Sequence, residues 1–71
     1  MKHRHPAMPL DAAAPCVIAI RLGVKTRAVV TAINRHRLRA WRIPDDDAEL
    51  VSEAEVAAAL RADARPVERQ P

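Results

Sequence analysis

A chain of 71 residues with a single aromatic side chain, Trp41, has room for one domain with a thin core, which excludes a deep substrate cavity. Its single cysteine, Cys16, excludes an intrachain disulfide and a cysteine-based zinc site, and we expect it to be buried as a small apolar side chain. The net charge is +3, and no apolar run approaches the ~18 residues of a membrane span, so we expect a soluble, cytoplasmic protein without a membrane partner.

The two ends of the chain differ in character from its middle. Residues 1–9 contain two prolines, two histidines and two basic residues without an apolar period, so we predict a flexible basic arm. Residues 65–71 begin with Arg-Pro and lack a period as well, which predicts a disordered tail. The single domain is therefore expected within residues 10–64.

The first helix is expected from Pro15 to Leu22, because Ile18 lies one turn before the last residue of this segment. Proline is tolerated in the first turn, and either Asp11 or Ala14 is expected to be the N-cap. Gly23 is the only glycine in the chain, and it lies where the backbone must turn sharply with a positive φ. We therefore expect the helix to end there.

A second helix is predicted from Arg27 to His36, with Thr26 as its N-cap. Val29 and Ile33 are four residues apart and form an apolar stripe. Basic and hydrogen-bonding side chains fall on another face of the same helix. The helix is therefore predicted to bury one face and to present a polar, basic face to solvent.

The apolar pattern changes to a period of two after this helix. Residues 38–43 are predicted to form a strand that places Trp41 and Ile43 on one face. Pro44 ends this strand, residues 45–47 make a polar turn, and residues 49–51 return as a short second strand. Two strands of this length form a marginal hairpin, so we expect it to pack on the helices.

The third helix has the clearest start signal in the chain. Ser52 is expected to be its N-cap, and Glu55 completes a capping box. Val51 and Val56 have the spacing of a hydrophobic staple, and the helix is expected to end near Ala64. The predicted fold is mostly α with a small β-hairpin, in the order helix, helix, strand, strand, helix.

The charges are divided unevenly along the chain. Residues 1–43 hold nine of the twelve Lys and Arg residues and one acid, whereas residues 44–71 hold three basic residues and eight acids. A basic surface backed by a solvated acidic face is typical of a protein that binds a polyanion. The division therefore favours a nucleic-acid partner.

The segment from residue 15 to residue 34 resembles a helix-turn-helix of the repressor type. In that family a small residue stands four positions before a glycine, as Ala19 stands before Gly23 here. A small side chain is needed where the two helices cross closely, and the glycine makes the turn. The apolar positions of the motif are filled by Ile18, Leu22, Val24, Val29 and Ala32.

The following segments resemble the wing and third helix of the excisionase-like group, which includes phage excisionases, AlpA-type regulators and, more distantly, MerR-type regulators. The resemblance rests on residues 37–43 (RLRAWRI) and residues 51–56 (VSEAEV), and it covers about residues 10–62. It implies a winged helix-turn-helix fold. A weaker resemblance to Cro-type phage repressors rests on residues 22–24, 32–33 and 53–56.

The resemblance implies that the second helix enters the major groove and that the wing reaches the neighbouring minor groove or the backbone. Arginine and asparagine side chains form paired hydrogen bonds with guanine and adenine, and a helix N-terminus favours phosphate. Val30 is expected to fill the space beneath the wing, with contact to a thymine methyl group as the alternative. The predicted DNA-binding residues are Lys25, Thr26, Arg27, Thr31, Asn34, Arg35, Arg37, Arg39 and Arg42.

The chain contains no set of residues typical of catalysis, so we predict no enzyme activity, no cofactor and no metal site. The resemblance implies sequence-specific binding of double-stranded DNA by an excisionase, or recombination directionality factor, of a phage or mobile element. Such a protein binds adjacent sites cooperatively, assists a site-specific recombinase and regulates transcription, in the bacterial cytoplasm at the nucleoid. The alternatives are a dimeric Cro-type transcriptional repressor and a protein-interaction module that does not bind DNA.

Overall fold

The computed structural model describes residues 7–68, which form a small, mostly helical fold with a three-stranded sheet. In chain order the elements are β1 (Ala12–Ala13), α1 (Pro15–Leu22), α2 (Thr26–His36), β2 (Trp41–Arg42), β3 (Glu49–Ser52) and α3 (Glu53–Asp63). The sheet is antiparallel with the strand order β1–β3–β2. Within these residues no helix combines the length and the apolar character needed to cross a bilayer.

The predicted helices and the hairpin are present, and β1 is an element that the sequence did not predict. It pairs with β3 through Ala12 opposite Ser52 and Ala13 opposite Val51. Residues 7–11 and 64–68 contain no helix or strand. The remaining parts of the predicted arm and tail, residues 1–6 and 69–71, lie outside the described residues.

Helix α1 has the predicted bounds and ends as predicted at Gly23. Gly23 adopts φ +70°, and its N–H donates to the carbonyl of Ile20 while the N–H of Val24 donates to the carbonyl of Ala19. This pair of bonds is a Schellman motif, which satisfies carbonyls at the end of the helix. Residue 14, not residue 11, is the N-cap, so the alternative of Asp11 capping α1 was wrong.

Helix α2 begins one residue earlier than predicted. Thr26 is its first residue, and Lys25, with an extended backbone, occupies the N-cap position without a side-chain capping bond. The carbonyl of Lys25 accepts from the N–H groups of Ala28 and Val29 at 3.0 and 3.4 Å. The backbone is extended at Lys25 and helical from the next residue onwards. Thr26 is therefore the first residue of the helix, and its predicted role as N-cap was wrong.

The first strand of the hairpin is much shorter than predicted, comprising only Trp41–Arg42. Arg37 adopts a left-handed conformation after α2, with φ +51°, and Leu38 then packs against the core rather than entering the sheet. Pro44 and Asp45 form the turn, closed by the N–H of Asp46 donating to the carbonyl of Ile43. Asp45 has φ +68°, the conformation of the third residue of a type II turn.

Helix α3 is capped from two directions. The Oγ of Ser52 accepts from the N–H of Glu55 at 3.3 Å, which confirms Ser52 as the N-cap. Within residues 7–68 no return bond joins the Glu55 carboxylate to the N–H of Ser52, so only half of the predicted capping box forms. The same hydroxyl donates to Oδ2 of Asp11 at 3.0 Å, and Oδ2 also accepts from the N–H of Ala54 at 2.8 Å. Asp11 therefore caps α3 across the sheet, which holds the segment before α1 against the start of α3.

The core takes one fully buried large side chain from each of four elements. These are Ile18 of α1, Val29 of α2, Val51 of β3 and Val56 of α3. Each stabilises the fold by about 1.5–3 kcal/mol through removal of its apolar surface from water. The core thereby fixes α2 in place while leaving its opposite face in solvent.

Cys16 is exposed, which contradicts the expectation that it is buried. It lies two residues from Ile18, and consecutive residues of a helix are ~100° apart. Cys16 is therefore ~200° around α1 from Ile18, which is fully buried, so its side chain points away from the part of the core that Ile18 fills. The thiol therefore contributes nothing to the core.

Candidate nucleic-acid interface

The predicted DNA-binding residues are all exposed to solvent in the structure. Lys25 belongs to the turn before α2, and Thr26, Arg27, Thr31, Asn34 and Arg35 belong to α2. The other three residues come after α2: Arg37 and Arg39 precede β2, and Arg42 is part of β2. The fold thus leaves every one of these side chains accessible to a ligand.

The outer face of α2 carries Arg27, Thr31 and Asn34. These residues are spaced by four and then three positions, so they form one row along the helix. Val29 and Ala32, which are buried, lie on the opposite side of the same helix. The row therefore faces away from the core and combines a guanidinium, a hydroxyl and a carboxamide.

The N-terminus of α2 lies beside this row. No side chain caps it, so its first backbone N–H groups are available to an acceptor. Its first turn carries no acidic residue that would occupy the positive end of the helix dipole. Together with the ammonium of Lys25, this terminus is suited to a phosphate group.

Two of the predicted arginines form ion pairs with acids from the second half of the chain. Nη1 of Arg35 lies 3.5 Å from Oδ2 of Asp63 in α3, and Nη2 of Arg42 lies 3.3 Å from Oε1 of Glu49 in β3. Both guanidinium side chains remain more than half exposed, at 62% and 60%. Pairs this exposed are weak, so another anion can replace the carboxylate.

Asp63 is shared between the side chains of Arg35 and His36. Nε2 of His36 lies 3.0 Å from each carboxylate oxygen of Asp63, beside the contact that Arg35 makes. The three side chains connect the C-terminal end of α2 to the C-terminal end of α3. The contact restrains Arg35 next to an acid on the side of α2 that faces α3.

The remaining predicted basic residues have no acidic partner. Within residues 7–68, no carboxylate lies within 4.0 Å of the charged groups of Lys25, Arg27, Arg37 or Arg39. Like charges on one surface repel each other, and they gain the most from a polyanion that neutralises several of them. These four groups lie at the start of α2, on it and directly after it.

An open groove of ≈ 790 Å³ runs between α2 and the end of α3. Four of the predicted residues line it, namely Lys25, Arg27, Thr31 and Arg35. Leu60 and Asp63 of α3 form part of the lining as well. The groove therefore brings these four predicted residues together, whereas Thr26, Asn34, Arg37, Arg39 and Arg42 do not line it.

Val30 lies on α2 between these residues and is 42% exposed. It does not contribute to the buried core cluster. The expectation that it fills the space beneath the hairpin stays a prediction. Its isopropyl group is partly open to solvent, three residues after Arg27 and four before Asn34.

The described residues include no group of three or more His, Cys, Asp or Glu side chains that could hold a metal ion. The arrangement of donors on α2 and after it suits hydrogen bonding and charge neutralisation. No family model, no curated protein and no solved structure matches this chain.

Sequence reasoning missed Asp63 as a neighbour of the site. Its two partners, Arg35 and His36, are 28 and 27 residues away in sequence, so the contact depends on how α2 packs against α3. An acid in the last turn of a helix carries no local signal of such a contact. Val30 was noticed in the sequence, but its exposure became evident only from the packing.

Proposed function

We propose that this chain is a winged helix-turn-helix protein that binds double-stranded DNA sequence-specifically and catalyses no reaction. In this proposal α1 and α2 form the helix-turn-helix, α2 is the recognition helix, and the β2–β3 hairpin is the wing. The three-residue turn with Gly23 in a left-handed conformation supports the motif. The row of Arg27, Thr31 and Asn34 would read base edges in the major groove.

The observation that carries the proposal is the exposed, unpaired basic set beside that row. Lys25, Arg27, Arg37 and Arg39 lie at the start of α2, on it and directly after it, without acidic partners within residues 7–68. A protein that binds DNA needs positive charge for the phosphates and hydrogen-bonding side chains for the bases. Both are present on one helix and the segment that follows it.

Within this class we infer an excisionase, or recombination directionality factor, of a phage or mobile element. It would bind adjacent sites cooperatively with further copies of itself, assist a site-specific recombinase, and regulate transcription in the bacterial cytoplasm. The support is the resemblance of residues 37–43 and 51–56 to that group. A Cro-type dimeric repressor is the alternative within the class of DNA-binding proteins.

A second candidate function is a protein-interaction module. The observation that favours it is the exposure of apolar side chains on α1, of which Ile20 is 81% and Val17 is 37% exposed. An apolar patch on a small domain is a common docking surface for another protein. This function would be favoured over the first if the protein does not bind DNA, or if its affinity for DNA does not depend on the salt concentration.

The proposal is tested by selecting a tight-binding duplex from a random library and comparing two arginine variants. Arg27→Ala removes a row residue and should reduce the preference for the selected site over random duplex by about 1–3 kcal/mol. Arg61→Ala removes the same charge from an exposed position on α3 and is the matched control. It should leave that preference unchanged, as measured by fluorescence anisotropy.

Two results would contradict the proposal. The first is a protein that selects no sequence and binds random duplex only as weakly as a neutral protein does. The second is an equal loss of preference in both variants, because it would mean that Arg27 acts only through its charge. Circular dichroism of both variants verifies that the fold is retained.

A further inference from the structure

A β-branched residue that is partly exposed on a helix is unfavourable in two ways. Valine loses χ1 freedom in a helix, and the exposed part of its isopropyl group gains nothing from solvent. Val30 is such a residue: 42% of its surface is exposed, and it lies at the edge of the polar row, between Arg27 and Asn34 on one side and Ile33 on the other. Alanine at this position would suit a solvated helix better.

The same properties suit a contact with a base edge. A β-branched side chain in a helix is held in one strongly preferred rotamer, so its two methyl groups are fixed in place without further loss of entropy. Thymine is the one base whose major-groove edge carries a methyl group. Hydrogen-bonding neighbours in the polar row would position the base pairs around that methyl group.

We propose that Val30 determines specificity for thymine by packing against its C5-methyl group in the major groove. This inference rests on the proposed function, since it needs α2 to enter the groove. Arg27, Thr31 and Asn34 supply the hydrogen bonds of the interface, and Val30 supplies its apolar contact. The base pair that Val30 contacts is therefore T·A in preference to C·G or to a pair with uracil.

The test uses the full chain and a duplex selected from a random library. Each thymine of the selected site is replaced in turn by deoxyuridine, which removes only the methyl group. For the wild-type protein, one or two of these replacements should weaken binding by about fourfold, the change expected for loss of one buried methyl contact. With Val30→Ala the same replacements should have no effect, because the contact is already absent.

Two further variants separate this contact from general effects of the substitution. Val30→Thr keeps one methyl group and should retain part of the sensitivity to deoxyuridine. Ile20→Ala truncates an exposed apolar side chain on α1 and should leave the sensitivity intact. Alanine is a better helix former than valine, so Val30→Ala is expected to fold.

The outcomes distinguish this inference from the proposed function. If the wild-type protein binds no duplex, the proposed function fails. If it selects a site that lacks thymine, tolerates deoxyuridine at every position, or keeps its sensitivity in Val30→Ala, the DNA-binding function stands and the role of Val30 is refuted. Loss of sensitivity in Val30→Ala alone supports the inference.

Discussion

At Arg37 the backbone conformation favours glycine, whereas the proposed function favours a basic side chain. Its φ of +51° lies in the left-handed region, which is unfavourable for a residue with a Cβ by about 1–2 kcal/mol. Glycine is the usual residue at this position after a helix. An arginine here keeps a positive charge on the surface directly after α2.

We predict that Arg37→Gly stabilises the fold and weakens DNA binding. Glycine relieves the strain of the left-handed conformation, but it also gives the unfolded chain more entropy, which offsets part of the gain. The net increase in the free energy of unfolding should be about 0.5–1 kcal/mol, or about 2–8 °C in Tm. Loss of one phosphate contact should make the slope of log affinity against log salt shallower by about 0.9. Thermal unfolding and a salt titration measure the two effects.

Asp45→Gly is the matched control for this prediction. Asp45 has a similar positive φ, +68°, in the turn between β2 and β3, and it carries no basic group. Its replacement should stabilise the fold, by less than Arg37→Gly because aspartate tolerates this conformation better than arginine does. A loss of DNA affinity in Asp45→Gly would show that the turn, not the charge at Arg37, controls binding.

Asp11 is expected to make the stability of the fold sensitive to acid. The N–H of Ala54 donates to its carboxylate, which lowers the pKa of Asp11 despite partial desolvation, and the hydroxyl of Ser52 lowers it further. A depressed pKa in the folded state stabilises the fold above the ordinary carboxyl value of about 3.9. That contribution is lost as the pH falls through the lower pKa of folded Asp11.

We therefore predict that Asp11→Asn lowers the Tm at pH 7 and that the difference from wild type is smaller near pH 2. The reason is that protonated aspartic acid and asparagine are both neutral, so neither makes the charged cap. Asp47→Asn, an exposed carboxylate of the turn, should leave the Tm unchanged at both pH values. A Tm difference for Asp11→Asn that stays constant with pH would refute the role of the charge.

The elements that the sequence predicted correctly depend on near neighbours. Gly23 ends α1 through bonds to the preceding turn, and Ser52 caps α3 through the N–H of Glu55 three residues later. Strand β1 was missed because it pairs with β3 about 40 residues away, and Asp11 reaches Ala54 across 43 residues. Two consecutive alanines carry no strand signal of their own.

In the predicted site, too, features that depend on near neighbours were predictable and contacts between distant residues were not. Its exposure followed from the helical periodicity of α2, which places Arg27 opposite the buried Val29. The ion pair between Arg35 and Asp63 followed from the packing of two helices, and no pattern within either helix indicates it. The surface was thus predictable, whereas the distribution of paired and unpaired charges was not.

Packing of α3 against α2 gives Asp63 an inhibitory role in the proposed function. Its carboxylate occupies Arg35, which a DNA phosphate would need. We predict that Asp63→Asn tightens binding to random duplex and makes the salt slope steeper by about 0.9, because Arg35 becomes available to a phosphate. The free energy of unfolding should fall by about 1 kcal/mol, since Arg35 is 62% exposed whereas Asp63, which also contacts His36, is 27% exposed.

Glu53→Gln is the control for Asp63→Asn. Glu53 pairs with Arg21 at 3.3 Å, so the variant removes an equal charge but releases an arginine outside the proposed interface. It should leave the salt slope unchanged. An equal steepening of the slope in both variants would mean that net charge alone determines binding.

On the scale of the whole molecule, the two halves of the chain are joined electrostatically. Arg21 pairs with Glu53, Arg35 with Asp63, and Arg42 with Glu49, and each pair joins a base from residues 1–43 to an acid from residues 44–71. The acids therefore neutralise part of the basic surface. Within residues 7–68, four of the six basic residues without an acidic partner lie at the start of α2, on it or directly after it, and the other two are Arg61 and Arg65.

The measurement that tests the central claim most directly is a salt titration of wild-type binding to random duplex DNA. Lys25, Arg27, Arg37 and Arg39 have no acidic partner within residues 7–68, and if all four contact phosphates of a random duplex they predict a slope of log affinity against log salt of about −3.6. The slope becomes about −5.4 if Arg35 and Arg42 exchange their carboxylates for phosphates. A slope in this range would support a surface that neutralises the DNA backbone. A slope near zero with weak binding would contradict it and leave the protein-interaction function.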